Sequence, residues 1–223
     1  MTAPLKPTRL AVFDCDGTLV DGQAAVCGAM ATAFADCGLV APPSHLVRRI
    51  VGLSLPVAIR NLAPGEAPQT HDQVVAAYKQ AFFRARTEGR VAEPLYDGIR
   101  ELLGELHAGG WALGVATGKS DRGLTGCLTS HAILDLFVTL QTADRHPSKP
   151  HPSMLEAAMA EAAALPSETA MIGDTAYDIE MARAAGCRAI GVAWGYHAPE
   201  ELLAAGAEAV AQTAAELREM LDG

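Results

Sequence analysis

Aromatic side chains are scarce in this chain of 223 residues, 5% of the composition, although half of its residues are hydrophobic. The apolar mass is therefore mostly Ala, Leu and Val, which favours helices and buried parallel strands. No apolar run reaches the length that spans a bilayer, so no membrane association is expected. The segment Met1–Pro7 lacks the apolar stretch of a secretory leader. Paired cysteines are also missing. The five present (Cys15, Cys27, Cys37, Cys127, Cys187) are odd in number, with no CxxC and no His–Cys cluster at zinc spacing. They read as reduced thiols of a cytoplasmic protein. Positive charge is in deficit. The formal charge of −9 repels a polyanion, so no nucleic-acid partner is expected. The same field opposes anionic metabolites, and a phosphate site would need local cations or a metal.

What is present alternates between two textures. Arg9–Asp14 (RLAVFD), Trp111–Thr117 (WALGVAT), Ala170–Asp174 (AMIGD) and Arg188–Ala193 are short apolar runs that read as buried strands, with a shorter one at Phe137–Leu140. Helical patterns fall between them. Ile99, Leu102, Leu103 and Leu106 form an apolar stripe that stops at Gly109-Gly110. Further helices are expected near 120–131, 154–164, 175–185, 199–205 and 214–221. Strand and helix in alternation imply a Rossmann-like parallel sheet covered on both faces. Only the stretch from Gly22 to about Val91 breaks this order. It carries helical spacing alone, punctuated by Pro42-Pro43, Gly52 and Pro64–Pro68. The expected division is an α/β core at residues 1–21 and 92–223, with an inserted α-helical cap at 22–91.

In open α/β sheets ligands bind at the carboxyl ends of the strands. Asp14 and Asp16 follow the first strand, Thr117 the second and Asp174 a later one, while Lys149 lies in a loop before a helix. The run Phe13-Asp14-Cys15-Asp16-Gly17-Thr18-Leu19-Val20-Asp21 resembles the first motif of the haloacid dehalogenase superfamily, in its phosphatase branch. Ala116-Thr117-Gly118, Lys149-Pro150 and Gly173-Asp174-Thr175-Ala176-Tyr177-Asp178 are similar to its second, third and fourth motifs, in that order. The likeness covers essentially the whole chain and is strongest to the phosphoglycolate phosphatase-like group. Gly22 stands where that family often has Ser. A lone Asp-x-Asp is usually a solvated turn, and a lone lysine a surface residue. Four motifs in order, each at a strand end or adjoining loop, make coincidence a poor reading.

The resemblance implies a phosphomonoesterase acting on a small phosphorylated metabolite, with phosphoglycolate the leading candidate. Asp14 would be the nucleophile, Asp16 the general acid and base, and Lys149 the charge-balancing cation. Thr117 and the N–H of Gly118 would hold phosphoryl oxygens. Mg2+ would be held by Asp14, the backbone carbonyl of Asp16 and Asp174, with Asp178 supporting directly or through water. Arg49 in the cap is a candidate for binding a substrate anion. His146 and His151 read as solvated, Trp194 as packing, and Cys15 as pointing away from Asp14 by strand alternation. Two rivals stand beside this reading. One is a phosphomutase of the same fold, and the other a non-catalytic binding protein on this scaffold. Monomer and dimer are both compatible with the sequence.

Overall fold

The computed structural model describes residues 8–222. The expected core limits at residues 1 and 223, and the reading of Met1–Pro7, lie outside them. Six strands form one parallel sheet: β1 (Leu10–Phe13), β2 (Ala112–Thr117), β3 (Phe137–Thr142), β4 (Thr169–Gly173), β5 (Arg188–Val192) and β6 (Ala209–Ala211). Their order is β3-β2-β1-β4-β5-β6. The chain winds outward in one direction from β1 through β3 and in the other from β4 through β6, so the reversal of winding lies between β1 and β4. There the carboxyl ends of adjacent strands splay apart and leave a crevice.

Side-chain alternation divides the sheet into two faces. Ala11, Phe13 and Cys15 bury in one apolar cluster, together with Leu113, Val115 and Ile172. Leu10, Val12, Ala116 and Met171 bury in the other. The first face is covered by α5 (Ile99–Ala108), α6 (Asp121–Ser130) and α10 (Ala214–Asp222), and the second by α7 (Ser153–Ala162), α8 (Ala176–Ala184) and α9 (Pro199–Ala205). In α5 the stripe Ile99, Leu102, Leu103, Leu106 is wholly buried, as its spacing requires. Cys15 is buried on the α5 face, opposite in sense to Asp14.

Four helices lie between β1 and α5: α1 (Gln23–Asp36), α2 (Ser44–Arg49), α3 (Leu55–Leu62) and α4 (Pro68–Thr87). They share an apolar cluster of their own that includes Met30, Phe34, Val47, Ile59 and Val74. The turn that follows α2 rests on the rest of the chain. Tyr177 Oη donates to the Arg49 carbonyl at 3.2 Å, and Ser54 N donates to Ser148 Oγ at 2.8 Å. His197 accepts from Ala176 N–H at Nδ1, which leaves Nε2 to donate to the same Arg49 carbonyl, also at 3.2 Å. Two elements escape the sequence patterns. β6 is three residues of Ala and Val, too short for periodicity, and α3 is a short helix between the prolines of the insertion.

Candidate active site

Asp14 is the residue at which β1 ends, and its N–H donates to the Ile172 carbonyl of β4 at 2.9 Å. The backbone is thus fixed at the point where the sheet reverses. Asp174 follows β4 directly. Its Oδ1 accepts from Thr18 Oγ1 at 2.8 Å and its Oδ2 from Tyr196 N–H at 2.9 Å. Its surroundings require glycine twice. A Cβ on Gly17, whose φ is +89°, would fall 2.1 Å from Asp174 Oδ2, and one on Gly195 would fall 2.1 Å from Asp174 Cβ. Asp178 stands in the first turn of α8, where it closes a capping box with Thr175.

These three carboxylates converge. One oxygen from each of Asp14, Asp174 and Asp178 lies within 4.8 Å of the others, and all three residues are fully buried. Lys149, also buried, places Nζ 2.9 Å from Asp14 Oδ1 and 2.6 Å from Asp178 Oδ1. Both oxygens of Asp178 are therefore engaged, because its Oδ2 accepts from Thr175 N–H at 3.1 Å and Thr175 Oγ1 at 2.7 Å. Trp194 Nε1 donates to the Thr18 carbonyl at 3.1 Å and so braces the Asp16–Thr18 turn.

Three carboxylates against one ammonium leave the cluster short of positive charge. Burial pushes Asp14 up to about 7, helped by the neighbouring charges of Asp178 and Asp16 and opposed by Lys149. Burial, then Asp14 and Asp178, push Asp174 well above the usual carboxylate range. Burial alone would lower Lys149, but the carboxylates of Asp14 and Asp178 override it and push it up. Asp14 Oδ2 is buried with no hydrogen-bond partner. A buried oxygen without a partner, beside hard oxygen donors and surplus negative charge, fits a hard divalent cation.

Asp16 belongs to a second charged group. Lys119 Nζ lies 3.0 Å from Asp16 Oδ1 and 2.7 Å from Glu93 Oε1, and Glu93 Oε2 in turn holds Arg86 at 2.7 Å. Burial raises Asp16, and Lys119 opposes it. Lys119 and Glu93 are absent from the sequence reading. The one signal for Lys119 was its position directly after Thr117-Gly118, and Glu93 gave none. Thr117 is buried at the end of β2 and accepts from Lys119 N–H at 3.3 Å. Gly118 packs under the turn after α2, where a Cβ would meet the Leu53 carbonyl at 2.5 Å. Asp14, Asp16, Thr117 and Gly118 line a cavity of about 430 Å³ to which α1 and α4 also contribute.

Arg49, expected to meet a substrate anion, is not brought to this cavity. It is exposed and paired with Glu201 at 2.8 Å, because the end of α2 faces the start of α9. His146, read as solvated, instead contacts Ser153 Oγ and Gln141 Oε1, each at 2.8 Å. Its loop folds back on β3 and α7.

Fold and site together define the class: an α/β protein with a buried aspartate cluster at the carboxyl edge of its parallel sheet. A family model for haloacid dehalogenase-like hydrolases matches residues 11–192. A relative named probable phosphatase IndB, from Dickeya dadantii, is 35% identical over 96% of this chain and 92% of its own length. A phosphoglycolate phosphatase of Vibrio vulnificus is 32% identical over 96% of each chain. Among solved structures, a haloacid dehalogenase-like family hydrolase of Streptococcus pneumoniae superposes with a TM-score of 0.83 at 22% identity, over 96% of this chain and 98% of the other. The chain belongs to the haloacid dehalogenase-like hydrolase family, as an enzyme of its phosphatase type.

Proposed function

We propose that this chain is a magnesium-dependent phosphomonoesterase that hydrolyses a small phosphorylated metabolite through a phosphoryl group carried on Asp14. The observation that carries the reading is Asp14 itself: a carboxylate at a strand end, with one oxygen lacking a partner and an ammonium beside the other. Asp14 would attack phosphorus, and the ester oxygen would leave with its electron pair and take a proton from Asp16. Asp16 would then remove a proton from water as it attacks the aspartyl-phosphate, releasing phosphate and restoring Asp14. Thr117 Oγ1 and Gly118 N–H would hold phosphoryl oxygens, since both residues line the cavity with Asp14. Lys149 keeps Asp14 oriented and offsets charge.

Mg2+, held by Asp14, the carbonyl of Asp16 and Asp174, would supply the remaining positive charge against a dianionic ester. Asp178 contributes to this set through Lys149, since both of its oxygens are taken. Residues 22–91 act as the cap over the core at 1–21 and 92–223. Its own apolar cluster supports treating it as a separate unit, and its cover over the cavity suits exclusion of water. No described helix is long and apolar enough to cross a membrane. The five cysteines are free, in keeping with a reducing cytoplasm. Phosphoglycolate enters as a candidate because the Vibrio relative bears its name.

The test is turnover of p-nitrophenyl phosphate with Mg2+ and in excess chelator, followed by rapid mixing of Asp16→Asn with the same ester. The expected record is loss of turnover in chelator. For the variant it is a burst of p-nitrophenol about equal to the enzyme concentration, with phosphate retained on Asp14 by mass spectrometry. Full turnover in chelator, or a burst without covalent phosphate, would overturn the reading.

A further inference from the structure

The cavity has two unlike kinds of lining. Asp14, Asp16, Thr117 and Gly118 are polar and match a phosphoryl group. Val26, Met30, Leu55, Tyr78 and Phe82, brought together by α1, α3 and α4, are apolar or aromatic, with the Phe82 ring 5.9 Å from Lys119 Nζ. Tyr78 and Phe82 stack with ring centroids 5.9 Å apart. Burial pushes the Tyr78 phenol up, so its hydroxyl stays neutral. This surface would bury an apolar or aromatic body, and the volume far exceeds what a two-carbon acid fills.

The cations on these walls are already committed where the leaving group would sit. Lys119 is shared by Asp16 and Glu93, and Arg86 by Glu93. Asp16 and Glu93 against Lys119 and Arg86 balance when Asp16 is ionised, so each of these cations already has its counter-charge. Lys79 and Arg122 also line the cavity, but both are exposed, and Arg122 lies over the Phe83 ring at 4.3 Å. A carboxylate on a short alcohol would therefore meet apolar walls and cations already paired, with no unpaired buried cation among the described residues.

Resting on the phosphatase reading above, we infer that the substrate of this chain is a phosphate monoester whose alcohol carries an uncharged, apolar or aromatic body next to the ester, and that phosphoglycolate is discriminated against. The selecting residues are Met30, Tyr78 and Phe82 for the body, and the Asp16–Lys119–Glu93–Arg86 group, which leaves no cation free, for its charge.

The experiment is steady-state kcat/KM of the whole chain with Mg2+ on 2-phenylethyl phosphate, ethyl phosphate and phosphoglycolate. The first two release similar alkoxides, so their ratio reads the pocket and not the chemistry. The expected result is a preference of at least tenfold for 2-phenylethyl over ethyl phosphate, with phosphoglycolate the poorest of the three. Phosphoglycolate equalling or exceeding 2-phenylethyl phosphate would overturn the inference while leaving the phosphatase reading intact. Absence of turnover on every ester would remove that reading, and the inference with it. A second arm uses Glu93→Gln, which releases Lys119 and Arg86 from their shared partner. The ratio of phosphoglycolate to ethyl phosphate kcat/KM should rise at least fivefold, and an unchanged ratio in a folded variant would overturn the charge assignment.

Discussion

Lys149 and Asp178 meet at 2.6 Å, with both side chains closed off from solvent. The same ammonium reaches Asp14 at 2.9 Å, so Asp178 sets the position from which Lys149 addresses the proposed nucleophile. Asp178 is itself fixed through its other oxygen, which caps α8 through Thr175. Helix start, lysine and nucleophile are thus one connected unit, and disturbance at its outer member should be felt at its inner one.

Asp178→Asn preserves size but turns one acceptor into a donor, which must face either the Lys149 ammonium or the Thr175 N–H. A buried group left unsatisfied costs about 1–3 kcal/mol, and loss of such a supporting carboxylate lowers activity roughly 10–100-fold. Chemical denaturation and steady-state kinetics should show both losses together. Unchanged stability would mean that Lys149 and α8 do not depend on this carboxylate.

Asp14→Asn should eliminate turnover without unfolding the protein, because an amide is a far poorer nucleophile of nearly the same shape. In chelator its melting temperature should equal or exceed that of the unsubstituted chain, since one of three crowded carboxylates is gone. Added Mg2+ should raise the melting temperature of the unsubstituted chain clearly and that of the variant less. Equal Mg2+ shifts in both proteins would remove Asp14 from the metal site.

The metal-free protein should lose stability as pH rises. The folded state holds the Asp14 proton up to about 7, whereas the unfolded chain releases it near the ordinary value of 3.8. Between those values the folded state binds more protons, so unfolding free energy falls with rising pH and levels off above about 7. Asp174 is shifted in the same direction and adds to the trend. Saturating Mg2+ should flatten this slope, because a bound cation favours the ionised carboxylates. Denaturation at a series of pH values, with chelator and with Mg2+, checks both parts, and a slope of the same size in each would contradict the cation assignment.

Two glycines should respond in opposite ways to the same substitution. Gly195→Ala places a methyl group where Asp174 now stands and must displace it, and a misplacement of this order costs ~10²-fold in rate. Gly28→Ala, in α1 with open space around the added Cβ, should stabilise the protein by roughly 0.5–1 kcal/mol and leave kcat unchanged. Full activity in Gly195→Ala would show that Asp174 need not hold its present position.

Much of this architecture could be read from the chain. Short apolar runs marked five of the six strands, and the four central ones, β1, β2, β4 and β5, are nearly continuous because the sheet buries them on both faces. The stripe of α5 and the all-helical block after β1 were equally legible, because local spacing decides them. The four motifs named the residues of the acidic cluster for a related reason: each sits at a strand end, and parallel topology sends all such ends to one edge. Sequence periodicity therefore determined the elements, their alternation and the edge on which chemistry would gather.

Pairing between side chains was a different matter. Nothing local says that Asp178 spends its oxygens on Lys149 and Thr175, that Arg49 meets Glu201, or that Glu93 draws Lys119 and Arg86 into one group with Asp16. Lys149 and Asp178 are 29 residues apart, and Arg49 and Glu201 are 152 apart. Such contacts exist only once the sheet order and the seat of the helical insertion have brought distant loops together. The tertiary structure alone decided which charges are spent on each other and which face a ligand, because charge pairing depends on separations of a few ångströms that no periodicity encodes.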